Sequence, residues 1–278
     1  MALVEDVDGM NFGYCSNGFR DHSLDDALSV LADLGYTGVA LTLDHGHLGP
    51  DPTFDEVSRV ATRLGRLGLS VVVETGGRYT LDRFRKHHPT LLHEDAAARV
   101  AYTKRAIEVA ADLGAPVVHL WSGIRPEEVP EDLAWDRLTA HCETLLADAE
   151  EHDVVLGFEP EPGMLVDDLA SYERLRKRLG EPDRFGLTLD IGHCQCLEPW
   201  PVAECVRRAS PYLVHVQIED MRRDVHEHLE FGDGEIEFAP VMAELRAFDG
   251  MIAVELARHS HAAPAVAQRS IEFLRRHS

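Results

Sequence analysis

The stretch FGLTLDIGH, residues 185–193, decides the fold. Its first half is apolar without alternation, and it stops at a carboxylate, Asp190. A strand covered on both faces reads this way, because neither face meets water. The same pattern returns in VVLGFE at 154–159, in YLVHV at 212–216 around His215, and in MIAVE at 251–255. Burying an unpaired charge is expensive, so acids ending several such runs imply convergence on something positive.

Outward from there, apolar runs recur at 10–15, 38–43, 70–75, 116–121, 154–159, 185–190, 212–218 and 251–256. Amphipathic segments separate them at 25–34, 54–67, 94–113, 133–151, 168–179, 202–209, 238–248 and 264–276. Ser23 with Asp26 three residues later resembles a capping box. Gly35, Gly68, Gly114 and Gly180 each follow a leucine, as a left-handed residue closing a helix does. Eight βα units in 278 residues predict a single (β/α)8 TIM barrel of class α/β over 1–278. A doubly wound open sheet is the alternative. It would carry G-x-G-x-x-G after the first strand, where this chain reads CSNGFRDHS.

Composition sets the outer bounds. A formal charge of −22 opposes phosphate backbones and anionic lipid surfaces, so neither nucleic acid nor membrane is an expected partner. Five cysteines are an odd number and do not form a disulfide scaffold, which suits a reducing compartment. The start is broken by Glu5, Asp6 and Asp8, without the apolar core of a signal peptide, so a cytoplasmic protein is expected.

In a barrel the C-terminal strand ends surround one point. Polar residues at those ends are Asp44, His45, His47, Glu74, His119, Glu159, Glu161, Asp190, His193, His215, Glu219, Asp220 and Glu255. The loop after the third strand adds Arg78, Arg83, Arg85 and Lys86, with Asp82 as its one acid over 78–88. On the active face, Arg83 and Lys86 are expected to grip a phosphate or carboxylate on the substrate. Trp121, Tyr79 and Trp200 are candidates for an apolar wall.

GFEPE at 157–161, LDIGH at 189–193, VHVQIED at 214–220, DVH at 224–226, GDG at 232–234 and VEL at 254–256 follow one another in order. Through them the chain resembles the sugar phosphate isomerase/epimerase superfamily with the xylose isomerase-like barrel, related to endonuclease IV-type enzymes. The resemblance implies a divalent metal held by Glu159, Asp190, His215 and Glu255, with His119, His193, Asp224 and His226 as possible further ligands. It also implies proton exchange by Glu159 and Glu255, the catalytic pair. Substrate contacts are expected from His193, Glu161, His119 and Arg222. Three carboxylates and an imidazole suit Mn, Mg, Co or Zn in an open site.

The expected activity is isomerisation or epimerisation of a small sugar, sugar phosphate, polyol or sugar acid through a metal-stabilised enediolate. The alternatives are lyase or dehydratase chemistry, phosphoester hydrolysis with several metals, and a non-catalytic ligand-binding barrel. Barrels of this kind often pair, so a homodimer is a further expectation.

Overall fold

The computed structural model describes residues 9–278, so the acid-broken start at 1–8 lies outside the described residues. Eight parallel strands close into a barrel: β1 (Asn11–Cys15), β2 (Gly38–Thr42), β3 (Ser70–Glu74), β4 (Val117–Trp121), β5 (Val155–Glu159), β6 (Phe185–Asp190), β7 (Leu213–Ile218) and β10 (Met251–Val254). Their order round the barrel is β1-β10-β7-β6-β5-β4-β3-β2, which is the expected (β/α)8 arrangement. Between β7 and β10 stands a two-stranded antiparallel hairpin, β8 (Asp220–Arg222) with β9 (Val225–Leu229), that the alternation of the sequence does not announce.

The helices follow the periodic segments: α1 (Leu24–Leu34), α2 (Phe54–Leu67), α3 (Ala97–Leu113), α4 (Glu131–Glu151), α5 (Leu169–Arg178), α7 (Val202–Ala209), α8 (Phe238–Leu245) and α9 (Ala263–His277). A short helix, α6 (Ile191–Leu197), springs directly from β6 and was not expected. Ser23 caps α1 by accepting from the Asp26 N–H at 3.1 Å. Gly35, Gly68 and Gly114 close α1, α2 and α3 in the left-handed conformation. Among the described residues no helix is long and apolar enough to cross a membrane.

The main apolar core fills the layer between strands and helices, where Phe158, Phe185 and Tyr172 pack with ring centroids 5.4 and 5.8 Å apart. Inside the barrel a second, small cluster joins Cys15, Ala40, Val72, Val117, Met251 and Ala253. Met251 fits there because Gly13 leaves room: a Cβ at that position would lie 2.6 Å from the Met251 sulfur. This plug forms the floor on which the polar mouth of the barrel rests.

Candidate active site

One pocket opens at the C-terminal ends of the strands, where strand-end side chains converge. At its base Glu74 accepts from Thr42 Oγ1 at 3.0 Å, Gln217 Nε2 at 3.0 Å and Cys15 Sγ at 3.4 Å. On one wall Glu159 ends β5, with His119 Nε2 at 2.5 Å and His193 Nδ1 at 3.3 Å from its two oxygens. Across the pocket Glu255, just beyond β10, accepts from Asn17 Nδ2 at 3.0 Å. Asp190 ends β6 and caps α6, its Oδ1 accepting from the His193 N–H at 2.7 Å.

The site gathers negative charge in a dry place. Burial, and then repulsion from Glu161, lifts Glu159 well above the carboxylate range. Burial, and then Glu219, does the same to Asp190. Glu255 is pushed up to about 7 by burial, with Glu74 and Glu219 adding to it. Burial holds His193 well below its ordinary value and brings His119 and His226 down to about 4. His228 runs the other way: burial pulls its imidazolium down, and Glu219 more than reverses this, raising it to about 9.

Several buried atoms here lack any hydrogen-bond partner. They include Asp190 Oδ2, both carboxylate oxygens of Glu219, His228 Nδ1 and Gln217 Oε1. Buried polar atoms are nearly always satisfied, so a cluster of orphans marks a place built for a group that is not protein. Glu159, Asp190 and His193 bring ligand atoms within 4.8 Å of one another; so do Asp190, Glu219 and His228, and also His193, His226 and His228. Carboxylates and imidazoles in such sets fit a divalent cation. Gly192 completes the wall, because a Cβ there would collide with Glu219 Oε1.

Of the residues given metal, catalytic or substrate-binding roles from the sequence, Glu159, Glu161, His119, His193, Glu255, His226 and Lys86 line the pocket, with Asp190 directly behind it. Four do not. His215 lies lower in the barrel, because a register shift between Leu187 and Thr188 pairs it with Thr188 and sets Gln217 beside Asp190. Its Nδ1 faces the Met251 carbonyl at 3.2 Å, and its Nε2 is 3.6 Å from Glu74. Asp224 occupies the hairpin turn with φ 59°, its side chain 84% exposed beside Arg223. Arg222 donates to the Asp233 carbonyl at 2.8 Å, away from the pocket. Arg83 stacks on the exposed Phe84 ring at 4.5 Å. Of the candidate wall, only Trp121 lines the pocket; Trp200 lies under Arg208 at 4.0 Å.

The sequence understates three candidate positions. Gln217 and His228 line the pocket, and Glu219 is buried immediately behind His228. The hairpin makes this possible: strand period two puts His226 and His228 on one side of β9. Asp220 anchors it, Oδ1 accepting from the N–H groups of Met221 at 2.9 Å and Ile236 at 3.1 Å, and Oδ2 from Gly232 at 2.9 Å. Gly234 is required for this approach, since a Cβ there would run into Asp220. Asp220→Ala is expected to cost about 3 kcal/mol, because three backbone donors, two of them buried, lose their shared acceptor. Denaturant unfolding checks this, and a loss below ~1 kcal/mol would remove the anchoring role.

The fold and site together define a barrel whose mouth gathers carboxylates and imidazoles. The family model described as xylose isomerase-like TIM barrel matches residues 28–277, and the chain belongs to that family. The uncharacterized protein MJ1311 of Methanocaldococcus jannaschii is 24% identical over 262 residues, covering 88% of this chain and 83% of the relative. A D-tagatose 3-epimerase-like protein superposes with a TM-score of 0.75 at 21% identity, covering 95% of this chain and 98% of that one. An L-ribulose 3-epimerase gives 0.76 at 19%, with 95% and 93% covered. A D-allulose 3-epimerase from Methylomonas sp. gives 0.77 at 16%, with 98% of each chain covered.

Proposed function

We propose that the protein is a divalent-metal-dependent isomerase or epimerase of a small polyhydroxylated carbonyl compound. The observation that carries this reading is the pair of carboxylates, buried Glu159 and half-buried Glu255, both lining one pocket from strands three steps apart in the barrel order. Epimerisation needs a proton taken from one face of a carbon and returned to the other, and two acids on separate walls supply that. The structural neighbours named as 3-epimerases of ketoses support the same class of substrate.

The metal would be held by Glu159, Asp190, His193 and Glu255, at the mouth rather than at His215. When bound, it supplies Lewis-acid polarisation of a substrate carbonyl. The chain's own residues do the rest. In the metal-free protein burial lifts Glu255 to about 7 and Glu159 well above the carboxylate range, the direction a proton-exchanging pair needs near neutral pH. His119 orients Glu159 through their 2.5 Å contact, and Asn17 orients Glu255. Trp121 and the His87 ring that packs on it at 4.8 Å dry one side of the pocket.

The test is exchange. Incubated with ketoses in deuterated water, the metal-loaded protein should introduce deuterium at the carbon beside the carbonyl; a panel giving neither exchange nor epimer would sink the reading. Arg20, Arg78, Lys86 and Arg258 also line the pocket, which favours a substrate carrying a carboxylate or phosphate. Lys86→Ala is expected to raise KM for such a substrate about 10-fold, whereas Arg83→Ala leaves it unchanged. Equal effects would return both residues to ordinary surface.

A second reading rests on the His193, His226 and His228 group, which could take a further ion and turn the site to phosphoester hydrolysis. Elemental analysis decides between them: near one metal per chain favours isomerisation, two or three favour hydrolysis.

A further inference from the structure

We infer that Arg99 is a positioning residue: it ties both ends of the loop after β3 to α3 and so sets Lys86 and His87 at the pocket. Its effect on substrate rests on the anionic-substrate reading above, while the clamp itself does not. Arg99 lies in the first turn of α3 and is only 3% exposed. Its guanidinium spreads over the loop: Nη1 donates to the Thr75 carbonyl at 3.4 Å, Nη2 to that of His87 at 3.2 Å and Nε to that of Pro89 at 2.9 Å. Thr75 is where the chain leaves β3, and His87 and Pro89 are where it returns toward α3, so one side chain closes the base of the loop. The same group lies 4.8 Å from the Trp121 ring and 5.4 Å from that of Tyr102. Trp121 in turn carries the His87 ring at 4.8 Å. Gly76, Arg78, Lys86, His87 and Trp121 all line the pocket, and Arg99 stands behind them.

A buried cation is a costly way to fasten a loop. Among the described residues no carboxylate pairs with Arg99, so its charge leaves water for carbonyl and ring partners alone. Burial lowers the group to about 10, which leaves it a cation near neutral pH. The first turn of a helix is also the end where the macrodipole repels positive charge. What the guanidinium offers in return is geometry. Its planar fork aims several donors in fixed directions, whereas the ammonium of a lysine is a point charge on a flexible stem. The tip of the loop has ties of its own: the His87 N–H donates to the Arg78 carbonyl at 2.6 Å, and Thr80 Oγ1 to Asp44 at 3.2 Å. Loss of Arg99 is therefore expected to free the base of the loop and leave the barrel folded.

The experiment compares the full-length wild type with Arg99→Met, which keeps a long stem and removes the donors, and with Arg99→Lys, which keeps the charge and loses the fork. Amide hydrogen exchange is followed by mass spectrometry. Residues 75–92 are expected to exchange about 10-fold faster in Arg99→Met, while β5, β6 and β7 keep the wild-type rate, and Arg99→Lys should fall between. An unchanged loop overturns the proposal, and so does a rise spread evenly over the barrel, which would mark ordinary packing. If Arg99→Met fails to fold, a wild-type loop in Arg99→Lys overturns it equally. Calorimetric titration with inorganic phosphate supplies the second readout. Lys86→Ala and Arg99→Met are each expected to weaken phosphate binding about 10-fold, and the double variant no further, because Arg99 acts through Lys86. Additive losses would show that Arg99 acts by its own charge, and would overturn its positioning role. A wild type that takes up no phosphate removes the anionic-substrate reading, and the exchange rates then decide the clamp by themselves.

Discussion

Replacing Glu255 by glutamine is expected to cut turnover about 10³-fold while leaving the barrel folded. The size follows from the role: a positioned acid or base contributes about 10²–10⁴-fold, and the amide can neither accept the substrate proton nor return it. Retention of the fold follows from the surroundings. Glu255 makes one side-chain hydrogen bond, accepting from Asn17, and the glutamine oxygen can take over that bond. Glutamine also removes one charge from a place where Glu74 and Glu219 already repel it. The metal-free variant should therefore melt at or above the wild-type temperature. Activity and melting curves together make the check: undiminished turnover would strip Glu255 of its role, and a collapse in melting temperature would show that its charge is structural.

The second large effect is a fall in stability of the metal-free protein as pH rises from 6.5 to 9. Glu255 has a folded value of about 7 against an ordinary 4.5, so its share of stability is lost between those two values and is gone once pH passes about 7. Glu159 and Asp190 are raised in the same direction by their burial and lose stability with rising pH in the same sense. His228, raised to about 9, contributes stability that is complete below its unfolded value near 6.5 and gone above 9. His119 and His226, lowered to about 4, have the opposite sign and act only below about 6.5. Above that pH the resolved shifts in the site agree in direction. Each group adds up to ~1.4 kcal/mol per pH unit within its window. In a chain of this size that corresponds to about 2–4 °C in Tm per kcal/mol. Mn²⁺ should flatten the profile, since a bound cation replaces the protons, and its stabilisation should be larger at pH 8 than at pH 6. A melting temperature independent of pH in the stripped protein would show that the acids are not mutually repelling.

Glu159, Asp190 and Glu255 are readable from sequence because an acid closing a continuous apolar run is a local pattern with a global meaning. The barrel is readable for the same reason, each βα unit repeating within a few tens of residues. What sequence does not carry is register. Whether His215 or Gln217 reaches the mouth is set by one irregularity where β6 meets β7, and two polar positions two residues apart on an apolar strand look alike until the partner strand is placed. The hairpin β8–β9 escapes because its strands are three and five residues long, too short for a period to emerge. In the basic loop, Asp82 folds back to accept from the N–H groups of Phe84 and Arg85 and from the Arg85 side chain. That fold takes Arg85 away from the pocket and leaves Lys86 at it, a choice no charge count contains.

Gly192 and Glu219 are far apart in the chain yet share one small volume, and this constrains descent. A lineage that shortens residue 219 removes the nearest obstacle and leaves the Met221 methyl, 2.7 Å from a Cβ at 192, as the next. A lineage that gains the side chain at 192 first meets a carboxylate already there. A side chain at 192 therefore needs the Glu219 carboxylate and the Met221 methyl to swing aside together, which ties three positions of the mouth into one packing unit.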